Sequence, residues 1–114
     1  MQHRDKIILQ KIVSEIDVGI DMLGNKELGT FLQNEMLKRA IGMTVINIGE
    51  LIKNVTDEMR EAHPDIPWKQ VAGFRDITAH KYQTLRMEDV YQVVVEDFPV
   101  LKEQLNKLIF QEEK

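Results

Sequence analysis

An all-α fold, arranged as an antiparallel four-helix bundle whose fourth helix is kinked or split near Pro99, is what this sequence predicts. Three observations lead there. Apolar residues recur at spacings of three and four along most of the chain, no stretch alternates with the period of two that a strand requires, and the breaks are few and short.

The first helix is expected over roughly 4 to 24, because Ile8, Leu9, Ile12, Val13, Ile16, Ile20 and Leu23 form one stripe and Gly24-Asn25 supplies a stop. Thr30 with Gln33 three residues later resembles a capping box, and a second helix is expected from there to about residue 60. Its core stripe is Leu37, Ile41, Thr44, Ile48, Leu51, Ile52, Val55 and Met59. Met36, Met43, Val45 and Ile46 widen the apolar sector beyond what one neighbour needs, so this helix faces a second partner, either in the same chain or across an interface.

His63-Pro64-Asp65-Ile66-Pro67 is the clearest break, since proline restricts the residue before it and cannot donate a backbone hydrogen bond. Pro67 suits the first position of a third helix, about 67 to 80, with Trp68, Val71, Phe74 and Ile77 on its apolar side. Gly73 in mid-helix suggests close approach of another helix. Val90, Val93, Val94, Phe98, Leu101, Leu105 and Leu108 mark the fourth helix, to about 111.

With 114 residues the chain has the size of one domain, and a single domain over 1–114 is expected, with no repeat or linker. The formal charge of −4 means that no global positive field draws the monomer to nucleic acid, so any such contact is local. The absence of cysteine excludes a disulfide framework and a thiolate zinc site and fits a reducing compartment. The charged start Met1 to Lys6 does not resemble a signal peptide, and no apolar run reaches the roughly 18 residues of a membrane span. A soluble, cytoplasmic protein without a membrane association is expected.

The residues most suited to chemistry are in the octapeptide Arg75-Asp76-Ile77-Thr78-Ala79-His80-Lys81-Tyr82. Arg75 and His80 lie about 140° apart on a regular helix and share an edge through the length of the arginine or fraying at His80, whereas Tyr82 returns nearly to the face of Arg75. An imidazole exchanges protons near neutrality, and a guanidinium grips two phosphate oxygens and holds charge that grows in a transition state. Such a pair suits metal-free cleavage of RNA, with the ribose 2′-hydroxyl as nucleophile. One octapeptide holds only one histidine, and a symmetric dimer supplies two. An Arg and a His at this spacing are also common at ordinary helix ends, where cations are favoured.

The stretch from Ile66 to Tyr82, with its Trp68 and its R-x4-H-x-Y pattern, resembles the signature of HepT-like HEPN-domain proteins. The likeness extends to Arg39-Ala40, to Ile48-Gly49-Glu50 and to the run Glu96 to Leu101, spanning roughly residues 5 to 110. It implies a HEPN-like helical homodimer and a metal-independent endoribonuclease whose catalytic residues correspond to Arg75 and His80, with no cofactor and no metal. It further implies the toxin of a type II/VII-like toxin–antitoxin pair. The partner is then a minimal nucleotidyltransferase (MNT-type) antitoxin, which in related systems transfers AMP to the tyrosine matching Tyr82. Bulk and negative charge beside Arg75 then oppose RNA phosphate binding.

Two positions depart from that pattern. Asp76 stands where the family often has Asn, and its carboxylate either orients Arg75 or weakens its hold on RNA. Arg86 stands where an Asp cap is usual. A second reading therefore stays open: a non-catalytic helical dimer that binds a minimal nucleotidyltransferase. Elsewhere Trp68 and Phe74 read as core rather than as base-stacking platforms. Arg39 and Glu50, on one helix face but too far apart to touch, each find structural partners elsewhere. His63 is a helix-end residue, and His3 belongs to the terminus.

Overall fold

The computed structural model describes residues 1–74 and 87–112, and every described regular element is helical. They are α1 (His3–Leu23), α2 (Leu28–Gln33), α3 (Glu35–Ile52), α4 (Asp57–Ala62), α5 (Trp68–Ala72), α6 (Met87–Gln92), a π-helical turn (Val93–Asp97) and α7 (Phe98–Glu112). The all-helical class is as expected.

The long helices α1, α3 and α7 form the frame: α1 packs along α3 and against α7, α5 lies on α3, and α2 bridges α3 and α6. Leu9, Ile12 and Ile16 of α1, Ile41, Ile48 and Ile52 of α3, and Phe98 and Leu105 of α7 fill the centre, fully buried. Each sits on the expected stripe, where burial of an aliphatic side chain contributes about 1.5–3 kcal/mol. Val45, first read as part of the surplus apolar sector, is also in this core.

The expected second helix is instead three. Thr30 lies inside α2 and caps nothing; the cap of α3 is Asn34, whose side chain accepts from the Leu37 N–H at 3.0 Å. Asn competes well for that role because its short amide reaches the free N–H groups of a first turn. The chain breaks again after Ile52. Thr56 caps α4 by accepting the Met59 N–H at 3.2 Å, and Asp57 and Glu58 follow in the first turn. Val55 and Met59 are buried as expected, so an unbroken apolar spacing crosses a real break.

Asp5 explains why the break is held. It is 1% exposed, and its carboxylate accepts from the Thr56 N–H at 2.9 Å and from the Thr56 hydroxyl at 2.6 Å. The first turn of α1 thereby fixes the N-terminus of α4. From the other side Arg60 donates through Nη2 to the Ile52 carbonyl at 2.8 Å, satisfying one of the carbonyls left open at the end of α3.

Close approach of helices occurs at Gly19. A Cβ on Gly19 of α1 would lie 2.8 Å from Phe98 Cε2 and 3.4 Å from Thr44 Cγ2, so only hydrogen fits where α1, α3 and α7 meet. At Gly73, which takes the C-cap position of α5, the nearest atoms among the described residues are carbonyls of its own turn, those of Gln70 and Lys69. Gly24 stops α1 as expected, with a positive φ of 57° that glycine adopts without strain.

Pro99 divides the fourth helix. The turn before it widens to the π form, and the Phe98 N–H reaches back five residues to the Val93 carbonyl. A proline cannot bond the carbonyl four residues back and its ring crowds that group, so a wider turn relieves the conflict. Val90, Val94, Phe98, Leu101, Leu105 and Leu108 consequently stay on one buried face across the junction.

Candidate active site

The octapeptide is delivered by a short, firmly anchored approach. After α4, Pro64 and Pro67 bound a tight connection in which Trp68 N–H bonds the Ile66 carbonyl at 2.8 Å. The Trp68 indole Nε1 donates to the His63 carbonyl at 2.9 Å. The side chain of Trp68 is buried, so its indole has both an apolar seat and a partner for its polar edge. Pro67 takes the cap position rather than the first helical one, a shift of one residue. Val71 and Phe74 follow Trp68 into the core, which bears out the reading of these aromatics as packing residues.

Phe74 is the last described residue before the octapeptide and Met87 the first after it. Arg75, Asp76, His80 and Tyr82 lie outside the described residues, as do Ile77 and Arg86. What the structure provides is the frame on both sides: a buried Phe74 against the core, and a half-buried Met87 packed on the same cluster.

Beside that frame runs a small groove of about 130 Å³ between α5 and the α7 region, lined by Pro67, Gln70, Val71, Phe74, Asp97, Val100, Leu101 and Gln104. Gln104 Nε2 donates across it to the Asp65 carbonyl at 3.4 Å. Burial pushes the Asp97 carboxyl above its ordinary range, and the adjacent Glu96 charge adds to the shift. Among the described residues its lining carries one carboxylate, that of Asp97. Sequence reading passed over Asp97 as a site neighbour, because its position near α5 depends on the π turn.

Arg39 meets its expected structural role within its own helix, with Nε 3.1 Å from Glu35 Oε1. His63 caps the C-terminus of α4, as its helix-end reading requires, and His3 opens α1 at the surface. Among the described residues no three His, Asp or Glu side chains gather as a metal site requires, and no helix is long and apolar enough to cross a membrane.

The fold is all-helical and a Trp-anchored turn leads towards the Arg-x4-His-x-Tyr sequence; comparison with known proteins gives the class, that of the ribonucleases. The sequence model of the Ribonuclease HepT-like family matches residues 12–108, and the chain belongs to that family. It is 32% identical over 106 residues to "Putative RNase TTE0752" of Caldanaerobacter subterraneus subsp. tengcongensis, covering 93% of this chain and 94% of that protein. It is 32% identical over 110 residues to "Putative RNase MJ1216" of Methanocaldococcus jannaschii, covering 96% and 91%. With "Probable ribonuclease HepT" of Thermococcus cleftensis it shares 29% identity over 108 residues, covering 95% and 98%. No solved structure matches the chain.

Proposed function

We propose that this chain, acting as one domain over residues 1–114, is a metal-independent endoribonuclease toxin of a type II/VII-like toxin–antitoxin pair, working in the cytoplasm as a homodimer. The observation that carries this reading is the Arg75-x4-His80-x-Tyr82 sequence inside a family match that covers residues 12–108. The ribose 2′-oxygen attacks the adjacent phosphorus, the 5′-oxygen leaves, and a 2′,3′-cyclic phosphate and a 5′-hydroxyl result. His80 of one protomer takes the 2′ proton and His80 of the other protonates the leaving oxygen, while the two Arg75 side chains hold the charge that builds on the phosphate. A two-fold axis is what lets a single histidine per chain fill both roles.

Regulation falls to an MNT-type nucleotidyltransferase partner. It transfers AMP from ATP to the Tyr82 oxygen and releases pyrophosphate; the added phosphate and its bulk then oppose RNA at Arg75. Asp76 favours a second reading, a non-catalytic dimer that binds the nucleotidyltransferase, because a carboxylate beside the guanidinium competes with RNA phosphate for it.

Expression without the partner separates the two. Growth arrest and RNA cleavage in EDTA are compared for the wild type, Arg75→Ala and His80→Ala, and each substitution is expected to lower cleavage by roughly 10²–10⁴-fold. Equal behaviour of all three removes the enzyme reading. Intact-mass measurement after co-expression with the nucleotidyltransferase should show addition of AMP to the wild type and none to Tyr82→Phe; a mass unchanged in the wild type removes the regulatory step.

A further inference from the structure

The groove between α5 and the α7 region is built from two matching sets of side chains. Pro67, Val71 and Phe74 on one side, and Asp97, Leu101 and Gln104 on the other, each follow the spacing i, i+4, i+7 that keeps residues on one helix face. Gln104 bonds the Asp65 carbonyl at the start of the approach to α5, so the two segments run antiparallel. Asp97, seven residues before Gln104 and hence about 10 Å along the axis, lies towards the other end, with Phe74. In the sequence Phe74 is followed directly by Arg75, the residue assigned above to the phosphate.

The floor of the groove is apolar and one end is acidic. Val71, Phe74 and Leu101 are buried and close it towards the core. Asp97 is half-buried, and among the described residues no hydrogen bond or ion pair engages its carboxylate. Burial raises its pKa, and the Glu96 charge raises it further. A carboxylate taken partly out of water at the wall of a cavity is short of the donors that its burial calls for. The cavity holds about 130 Å³. That is well below the roughly 300–1,000 Å³ of sites for drug-sized ligands, so it takes one flat ring system and not a whole nucleotide.

We infer that this groove is a base-recognition subsite for the RNA substrate, in which the Asp97 carboxylate accepts two hydrogen bonds from a guanine, one from N1–H and one from the N2 amino group. The inference rests on the ribonuclease reading above and names the base that its substrate presents. A carboxylate offers two coplanar acceptors, and guanine is the RNA base with two adjacent donors on its Watson–Crick edge. Adenine and cytosine offer one amino group beside a ring-nitrogen acceptor, and uracil one N–H between two carbonyls. Each of these sets a lone pair against the carboxylate and leaves one of its oxygens without a donor, which a site built to hydrogen-bond rejects. A base splayed out of single-stranded RNA rests its face on Val71, Phe74 and Leu101 while its edge is read at Asp97. A grip on phosphate carries no sequence information, and a base contact one residue along the chain from Arg75 supplies it.

Binding of short uncleavable oligonucleotides by the full chain, read by fluorescence anisotropy, tests the subsite without calling on catalysis. The probes are 2′-O-methyl oligouridylates with one central guanine, adenine, cytosine or hypoxanthine. The guanine probe should bind at least about tenfold more tightly than the adenine and cytosine probes and the plain oligouridylate. Hypoxanthine keeps N1–H but lacks the amino group, and should fall between. Asp97→Asn, nearly the same in shape and checked for folding by circular dichroism, should bring all probes to within about threefold of one another. Glu96→Gln removes the adjacent charge outside the groove and should keep the order. Probes that the wild type binds alike or not at all, a preference that survives Asp97→Asn, or one lost equally in Glu96→Gln, overturns the subsite. The comparison of guanine with hypoxanthine needs no variant, and equal affinities there overturn it by themselves. Cleavage by the same preparations keeps the two readings apart. RNA cut without regard to guanine leaves the ribonuclease standing and the subsite wrong, whereas a guanine preference that depends on Asp97 in a chain that cuts nothing leaves the subsite standing and removes the catalytic reading.

Discussion

Replacing Asp5 with Ala removes the carboxylate that ties α1 to the start of α4. Two charge-assisted hydrogen bonds are lost, from the Thr56 N–H at 2.9 Å and the Thr56 hydroxyl at 2.6 Å, at a site 1% exposed. Hydrogen bonds to a charged group contribute roughly 1.5–3 kcal/mol each, and a buried donor left without a partner costs about 1–3 kcal/mol. The two Thr56 donors are near the capped end of α4, where water recovers part of the loss, so the expected cost is about 3–5 kcal/mol. Against a total stability of roughly 6–17 kcal/mol for a chain of this size, that is a large share, equivalent to a fall in Tm of roughly 12–20 °C. Thr56→Ala loses the cap on the Met59 N–H as well as the hydroxyl bond to Asp5, for about 2–3 kcal/mol. Since the two residues share one bond, the double variant should cost about 1–2 kcal/mol less than the sum of the singles. Urea unfolding followed by circular dichroism measures all three. A loss below 1 kcal/mol for Asp5→Ala, or strict additivity in the cycle, refutes the assignment of Asp5 as the anchor of α4.

Two glycines and one carboxylate give further expectations. Gly29 in α2 has nothing within 4 Å of an added Cβ, so Gly29→Ala should stabilise by about 0.5–1 kcal/mol, whereas Gly19→Ala meets Phe98 at 2.8 Å and should fall below the wild type. Equal melting temperatures for the two variants refute the close approach. At Asp97 the folded carboxyl titrates above its ordinary value of 3.8. The favourable effect of holding it protonated is therefore present below that value and lost as pH rises through the folded pKa. Asp97→Asn should raise Tm at pH 7, with the advantage shrinking as pH falls through the folded pKa towards the ordinary carboxylate value and levelling off below it; an advantage that grows on acidification contradicts the sign.

The apolar stripes were legible in the sequence because a helix fixes which residues share a side, whatever lies opposite. Ile12, Ile16, Ile48, Val90, Phe98 and Leu105 were core on period alone, and they are buried. The octapeptide from Arg75 to Tyr82 was likewise readable as residue types in order, and the family match over 12–108 rests on the same linear information. Local caps were only partly readable: Asn34 and Thr56 are good capping residues, but an apolar spacing that runs through both breaks concealed them.

What tertiary structure alone decided are the features that depend on partners distant in sequence. Thr56 holds its turn because Asp5, 51 positions away, reaches it. Gly19 admits a neighbour because Phe98 comes from another helix. The π turn before Pro99 reconciles a backbone conflict with a buried stripe, and it brings Asp97 to the groove beside Phe74. The outer face of α3 was apolar in the sequence, but only packing could show that α1, α2 and α5 leave Met36 and Met43 exposed. Periodicity is a property of one helix, whereas a cap across the fold, a close approach or an uncovered face is a property of two.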